Sequence, residues 1–376
     1  MAHAYTPGLK VTSHMAYSVK RILPIKGDVL VSAGDQVQAD QVVAETSMPG
    51  DIYPMNLANM LAVPPSDVAE CLLKKEGDRV EQDEPIAKTK GLFGMMKKTI
   101  LSKYEGTVET ISSVTGQVIL RGRPIPVQVK AYVTGKVVEV LDGEGCVIEA
   151  DCSYMQGIFG VGGETCGPIR MVGSAHDEPL EVSSISEDMS GTIVVGGGRM
   201  TAAAIKKARD VGAVAIVAGG IDDQDLRDFL GYDLGVAITG SEKLGITIVI
   251  TEGFGDIAMA RQTWGLLSSR EGREASINGA TQIRAGVMRP EIIVPHGDAA
   301  PPTTSGLDSV EEGLLVEGRP VRIIRDPYFG VIGTVAGLPS EPQVLDSGSK
   351  ARVLEVKLDS GESVVIPRAN VELIED

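Results

Sequence analysis

The spacing of apolar residues changes character three times along the chain. From about residue 19 to 150, apolar and polar positions alternate over short runs broken by Gly-Asp turns, the period of half-buried β-strands. Two of these turns repeat. Residues 34–44 (GDQVQADQVVA) and 77–87 (GDRVEQDEPIA) share the pattern G-D-x-V-x-x-D-x-x-x-A at an offset of 43 residues. Glycine permits the turn, aspartate closes it through its own backbone, and valine starts a core-facing strand. A weaker echo relates Tyr104-Glu105-Gly106-Thr107-Val108 to Val133-Thr134-Gly135-Lys136-Val137.

Residues 151–190 read as a glycine-rich connection. From 191 to 297, the continuous apolar runs GTIVVGG, AVAIVAGG and ITIVITEGFG alternate with the helical patterns TAAAIKKARDVG, DDQDLRDFLG and DIAMARQTWGLLSSREG, the last closed by Gly272. Strand alternating with helix predicts a parallel sheet with covering helices. Residues 298–312 lie in a stretch rich in Pro, Gly, Ser and Thr and predict a linker. From 313 to 376 the two-residue alternation returns, with a hairpin turning at Asp359-Ser360-Gly361. The expected architecture is multi-domain, α/β plus β: a β-rich unit over 1–150, the connection, an α/β domain with a central parallel sheet, the linker and a C-terminal barrel.

Composition agrees with several cores. A chain of 376 residues exceeds what one ordinary core organises and predicts roughly two to four domains. Aromatic residues make up only 4 %, so the cores are built from Val, Ile, Leu, Ala and Met. The formal charge of −16 repels a phosphate backbone at long range and argues against nucleic acid as a partner of the whole chain. Cys71, Cys146, Cys152 and Cys166 show no CxxC spacing, as expected of a reduced, cytosolic setting. No secretory pattern opens the chain and no window reaches about 18 uninterrupted apolar residues, so a cytoplasmic protein without a membrane partner is expected.

Two resemblances refine these expectations. Gly77-Asp78-Arg79-Val80 followed by Gly106-Thr107-Val108-Glu109-Thr110-Ile111 resembles the barrel-sandwich hybrid, the fold of biotinyl and lipoyl carrier domains and of the amino-terminal part of the Rnf-complex C subunit. The resemblance covers about a third of the chain and implies a cofactor-bearing lysine at a hairpin tip. Gly94-Met95-Met96-Lys97-Lys98 is similar to such a tip, but the family spacing falls near Met95, and the first copy, Glu45-Thr46-Ser47-Met48-Pro49, has no lysine. Covalent biotin or lipoate is therefore not expected, and no cofactor is predicted. The run from Gly318 through Tyr328, Phe329, Gly330 and Gly333 to Val335 resembles the KOW motif. That resemblance implies a KOW/SH3-like barrel of the kind that binds RNA or protein. Arg322, Arg325, Arg352 and Arg368, with Tyr328 and Phe329 as stacking surfaces, are its candidate contacts. Glu355, Asp359, Glu362 and Glu372 dilute that basic charge, which favours a protein partner.

Small-molecule chemistry has one natural place. In a parallel α/β sheet, ligands bind beyond the carboxyl ends of the strands. The loops there carry Gly197, Gly198 and Arg199, then Asp222, then Glu252, Gly253 and Asp256. None matches G-x-G-x-x-G or a Walker A loop, and the acidic rim opposes a phosphate unless a divalent cation intervenes. His176 and Asp177, not far from Cys166, make no recognisable triad or metal-ligand spacing, and no metal site is predicted. Three functions are thus open: a non-catalytic scaffold or self-assembling protein, which the lack of a complete catalytic constellation favours; an RNA- or ribosome-associated factor acting through the barrel; and a metabolite- or nucleotide-binding protein using the strand-end loops.

Overall fold

The computed structural model describes residues 9–89, 98–231, 244–281, 288–297, 315–324, 327–328, 331–339, 341–344, 350–358 and 360–373. It is strand-rich, with one twelve-stranded mixed sheet and several small sheets. Among the described residues, no helix is long and apolar enough to cross a membrane.

The β-rich region consists of one unit nested inside another. The outer unit begins with β1 (Val11–Ile22), β2 (Asp28–Val29), β3 (Gln36–Val37) and β4 (Val42–Met48). The chain then leaves to build an inner unit with its own core, which includes Leu57, Val80, Ile86, Val108, Val118 and Leu120. That unit contains β5 (Ile52–Asn56), α1 (Leu57–Leu61), α2 (Val68–Cys71), β6 (Arg79–Val80), the antiparallel pair β7 (Pro85–Lys88) and β8 (Thr99–Leu101), β9 (Gly106–Ile111) and β10 (Gln117–Arg121). The outer unit resumes with β11 (Ile125–Lys130), which pairs antiparallel with β4 from Ile125 opposite Met48 to Lys130 opposite Val42. β12 (Gly135–Leu141) and β13 (Gly145–Gln156) follow. Entry and exit of the inner unit cross at two glycines. Gly122 N–H donates to Asp51 O at 2.8 Å, and a Cβ on Gly50 would lie 2.2 Å from Gly122 O, so a side chain at Gly50 would force the strands apart.

The sequence repeat corresponds bond for bond. Gly34 N–H donates to Val137 O and Gly77 N–H to Val108 O. Ser32 and Lys75 N–H each donate to the turn aspartate, Asp35 and Asp78, at 2.8 Å. Val137 N–H returns to Asp35 O as Val108 N–H returns to Asp78 O, both at 2.9 Å. Gly34 and Gly77 take φ of +100° and +92°, which is why both turns carry glycine. By this correspondence, β4–β11 is the counterpart of the β7–β8 hairpin. The inner unit enters where the outer unit would otherwise have its tip. In the inner copy, Lys97 lies outside the described residues and Lys98 is exposed.

The segment 151–190, loop-like in sequence, carries the end of β13, β14 (Phe159–Val161) and β15 (Glu164–Met171). Its glycines mark close backbone approach within strands: a Cβ on Gly167 would meet Gly191 O at 2.4 Å, and one on Gly160 would meet Gly279 O at 2.7 Å. β13 joins the two regions. It pairs along its length with β1, near its start with β12, and over Cys152–Gln156 with β21 (Glu291–Pro295).

The central region adds β16 (Ile193–Val195), β17 (Arg199–Met200), α3 (Ala202–Asp210), β18 (Ala215–Ile221), α4 (Asp223–Leu230), β19 (Thr247–Phe254), α5 (Arg261–Ser268) and β20 (Glu274–Asn278). As expected, β16, β18 and β19 are parallel neighbours, and β15, from the segment read as a connection, extends them in parallel beside β16. β14 and β20 flank them antiparallel. α5 starts five residues later than the sequence pattern suggests, because 256–260 runs non-helically over the strand ends.

The C-terminal region is a five-stranded antiparallel sheet of β22 (Pro320–Ile323), β23 (Ile332–Gly337), β26 (Val353–Leu358), β27 (Ser363–Pro367) and β28 (Val371–Leu373). A small pair, β24 (Gln343–Val344) and β25 (Lys350–Ala351), sits between β23 and β26 in the chain. Val321, Ile323, Val335, Leu354, Val356 and Val371 form its core. The expected linker, 298–312, lies outside the described residues.

Candidate functional site

The strand-end crevice is filled by the chain itself. A Cβ on Gly197 would lie 2.2 Å from Ala175 O, one on Gly198 2.7 Å from Asp177 O, and one on Gly219 2.4 Å from Met259 N. Met259 N–H donates to Gly197 O and His176 O, at 2.8 and 3.0 Å. The His176 ring N–H donates from Nδ1 to Met259 O at 2.9 Å. The glycines expected in a ligand-facing strand-end loop therefore admit two other segments, 175–180 and 255–259, against the strand ends. Replacing Gly197 by alanine is accordingly expected to destabilise the fold by about 1–3 kcal/mol through overpacking. Urea denaturation would read this as a lower midpoint at unchanged slope.

The acidic rim has a local explanation as well. Asp222 is the N-cap residue of α4, and Asp223 and Asp225 lie in its first turn, where carboxylates offset the helix dipole. Asp222 pairs with Arg199, and Asp225 accepts from Ala202 N–H at 3.0 Å. Gly253 is buried within β19, opposite Gly220. Asp256 is exposed at the outer lip.

Glu252 is not at the rim but 1 % exposed. Its carboxylate accepts from Ala260 N–H at 3.0 Å and from the Arg322 guanidinium of β22. Arg322, expected to be an outward-facing contact residue, is 2 % exposed. Through NH1 it also donates to Glu372 of β28 at 2.9 Å, the residue directly opposite it in the ladder. Arg289 donates to the other Glu372 oxygen at 2.8 Å. Two arginines and two glutamates thus lock the C-terminal sheet over the end of β19. Arg322 N–H at Nε is the one buried donor there without a partner.

The remaining candidate contacts of the C-terminal region are mostly committed too. Arg368 donates to Val353 O at 3.0 Å and Pro339 O at 2.9 Å. Tyr328 packs half-buried against the core of the C-terminal sheet. Arg352 is exposed, while Arg325 and Phe329 lie outside the described residues. Strand alternation leaves positions 322 and 352 indistinguishable in sequence; burial by another region separates them.

A second polar constellation has no sequence signal, since its members are scattered. Tyr17 and Tyr132 donate their hydroxyls to Glu291 Oε1 at 2.9 and 3.0 Å. Tyr154 donates to Oε2 at 2.9 Å and accepts from Gln156 Nε2 at 3.1 Å. Burial first, and then the Glu291 charge, push all three phenols above the ordinary tyrosine value. Tyr132 takes φ +71°, unusual for an aromatic residue, and the Arg21 guanidinium sits 5.4 Å from its ring centroid.

Two adjoining clefts of about 790 and 640 Å³ share Ala39, Asp40 and Cys166. Burial, followed by Asp40 and Glu274, raises the Cys166 thiol, which keeps it protonated and weakly nucleophilic at neutral pH. Among the described residues, no group of three or more His, Cys, Asp or Glu side chains is placed to hold a metal ion. No protein-family model matches this chain, and no curated protein matches it.

Proposed function

We propose that this chain is a non-catalytic scaffold that assembles with copies of itself or with other proteins. The observation that carries the reading is the fate of the strand-end crevice: two of the chain's own segments fill it, and a buried Arg322–Glu252 pair holds the C-terminal sheet across it. Of the charged groups expected at the strand ends, Glu252 joins the central sheet to the C-terminal one, and Asp222 and Arg199 pair with each other. The nested β units support a reading as two barrel-sandwich hybrids, and the five-stranded sheet supports a KOW-like barrel used for protein contact. A further feature fits assembly. β1 is twelve residues long and, among the described residues, pairs with β13 alone. One of its edges therefore offers backbone donors and acceptors for a partner strand.

Sedimentation velocity over a wide concentration range, with imaging of the native particle, tests the proposal. Discrete oligomers whose population follows concentration are expected. A monomer at every concentration that also captures no protein partner would remove the reading.

A further inference from the structure

Proton-sensitive groups converge where β1, β13, β21 and the turn after α5 meet. His296 follows β21 directly, is 5 % exposed, and donates its backbone N–H to Asp151 O at 2.9 Å. Its Nε2 lies 3.0 Å from Ser153 Oγ. Ser153 donates its hydroxyl to Ser13 O at 2.8 Å and accepts from Arg270 Nε at 3.1 Å. A hydroxyl has one proton to give, so in the third contact the donor is His296 Nε2–H. That leaves Nδ1 as a buried lone pair with no partner.

The groups facing this ring come from each element around it. His14 of β1 stacks on it with centroids 5.4 Å apart, and His14 Nε2 lies 3.8 Å from Asp151 Oδ1 of β13. From the turn after α5 come Arg270 and also Arg273, which donates to Pro295 O and His296 O at 3.1 and 2.9 Å. A proton arriving at Nδ1 therefore enters a dry site beside two guanidiniums and a second imidazole. Burial, then Arg270, His14 and Arg273, hold His296 below the ordinary histidine value; the Ser13 carbonyl alone acts the other way.

We propose that His296, stacked against His14, is a proton-operated release on the seam between the nested β units and the central sheet. The sign follows from linkage. The opened joint takes up a proton near the ordinary histidine value of about 6.5, whereas the closed joint resists it. Closure is thus fully favoured above that pH. As pH falls further, the closed-to-open ratio drops about tenfold per unit until the closed joint itself titrates. Opening frees β21 from β13 and exposes strand edges that are paired when the joint is closed. The proposal does not depend on the scaffold reading.

Hydrogen exchange of the full chain between about pH 5 and 8, corrected for intrinsic rates, tests it. Peptides covering β1 and β21 are expected to lose protection below about pH 6.5, by up to about tenfold per pH unit. Peptides covering β9 and β10 of the inner unit are expected to keep theirs. His296→Gln, which retains a donor for Ser153 and cannot titrate, is expected to flatten the profile. Arg273→Gln removes one cation, leaves the Ser153 contact in place, and is expected to shorten the pH range over which protection falls and so reduce its total loss. Wild-type protection in β1 and β21 that is unchanged down to about pH 5 would overturn the proposal, as would a wild-type slope in His296→Gln. If His296→Gln does not fold, an unaltered total loss of protection in Arg273→Gln overturns it instead.

Discussion

Arg322→Met is expected to detach the C-terminal sheet from the central sheet before either one unfolds. Arg322 is the only described cation bonded to both Glu252 and Glu372, which are 1 % and 0 % exposed. Methionine fills much of the same volume but leaves two carboxylates in a dry interface with Arg289 alone to balance them. Breaking a buried pair by removing one partner costs about 3–5 kcal/mol, because the surviving charge has neither water nor counter-ion. The loss falls on the interface, since the C-terminal core of Val321, Ile323, Leu354 and Val356 is untouched.

Two probes separate the outcomes. The single Trp, Trp264, packs against the central core and reports on that region by fluorescence. Hydrogen exchange in β22 and β28 reports on the C-terminal sheet. Faster exchange there at an unchanged Trp264 midpoint is the expected result; unaltered exchange would mean that the network contributes nothing to docking. The triple replacement Arg322→Met, Glu252→Leu, Glu372→Leu is expected to recover most of the loss, because removing the whole network also removes its desolvation penalty. Arg289, 14 % exposed, can then turn its head to water.

That network marks the limit of what local sequence reading reaches. The turns at Gly34-Asp35 and Gly77-Asp78 were legible because their chemistry is contained in four residues, and the parallel order of β16, β18 and β19 because continuous apolar runs alternate with helical ones. Nesting was not legible: nothing in Met48 or Ile125 states that 76 residues intervene between two partners in one ladder. Nor was burial of one strand face. The alternation around Arg322 tells which side of β22 it occupies but not that β19 covers that side. Gly197 and Gly198 read as part of a strand-end loop that could face a ligand, whereas the close approach there is made by Ala175 O and Asp177 O of the chain itself. Glycine is silent on whether a ligand or the chain's own backbone makes that approach.

Alkaline pH is expected to unfold the chain through the three tyrosines on Glu291. Unfolded tyrosines lose their protons near pH 10. In the folded chain Tyr17, Tyr132 and Tyr154 are held protonated by burial and by donation to the Glu291 carboxylate. Above pH 10 the unfolded state therefore binds fewer protons than the folded one, and stability falls as pH rises. Tyr132 and Tyr154, both nearly buried, together contribute a slope of about 2.7 kcal/mol per pH unit. Tyr17, partly exposed, adds less. Against a typical total of about 5–15 kcal/mol, a few pH units suffice to unfold the chain. Three of the eight tyrosines are then expected to ionise only together with loss of far-ultraviolet dichroism. Glu291→Gln removes the charge that opposes phenolate formation and is expected to flatten the alkaline limb while lowering stability at neutral pH. Smooth titration of all eight phenols with the dichroism intact would show that these hydroxyls are not held by Glu291. The joint of β1, β13 and β21 would then draw its strength from its backbone ladders, the hydrogen bonds of Ser153 and apolar packing.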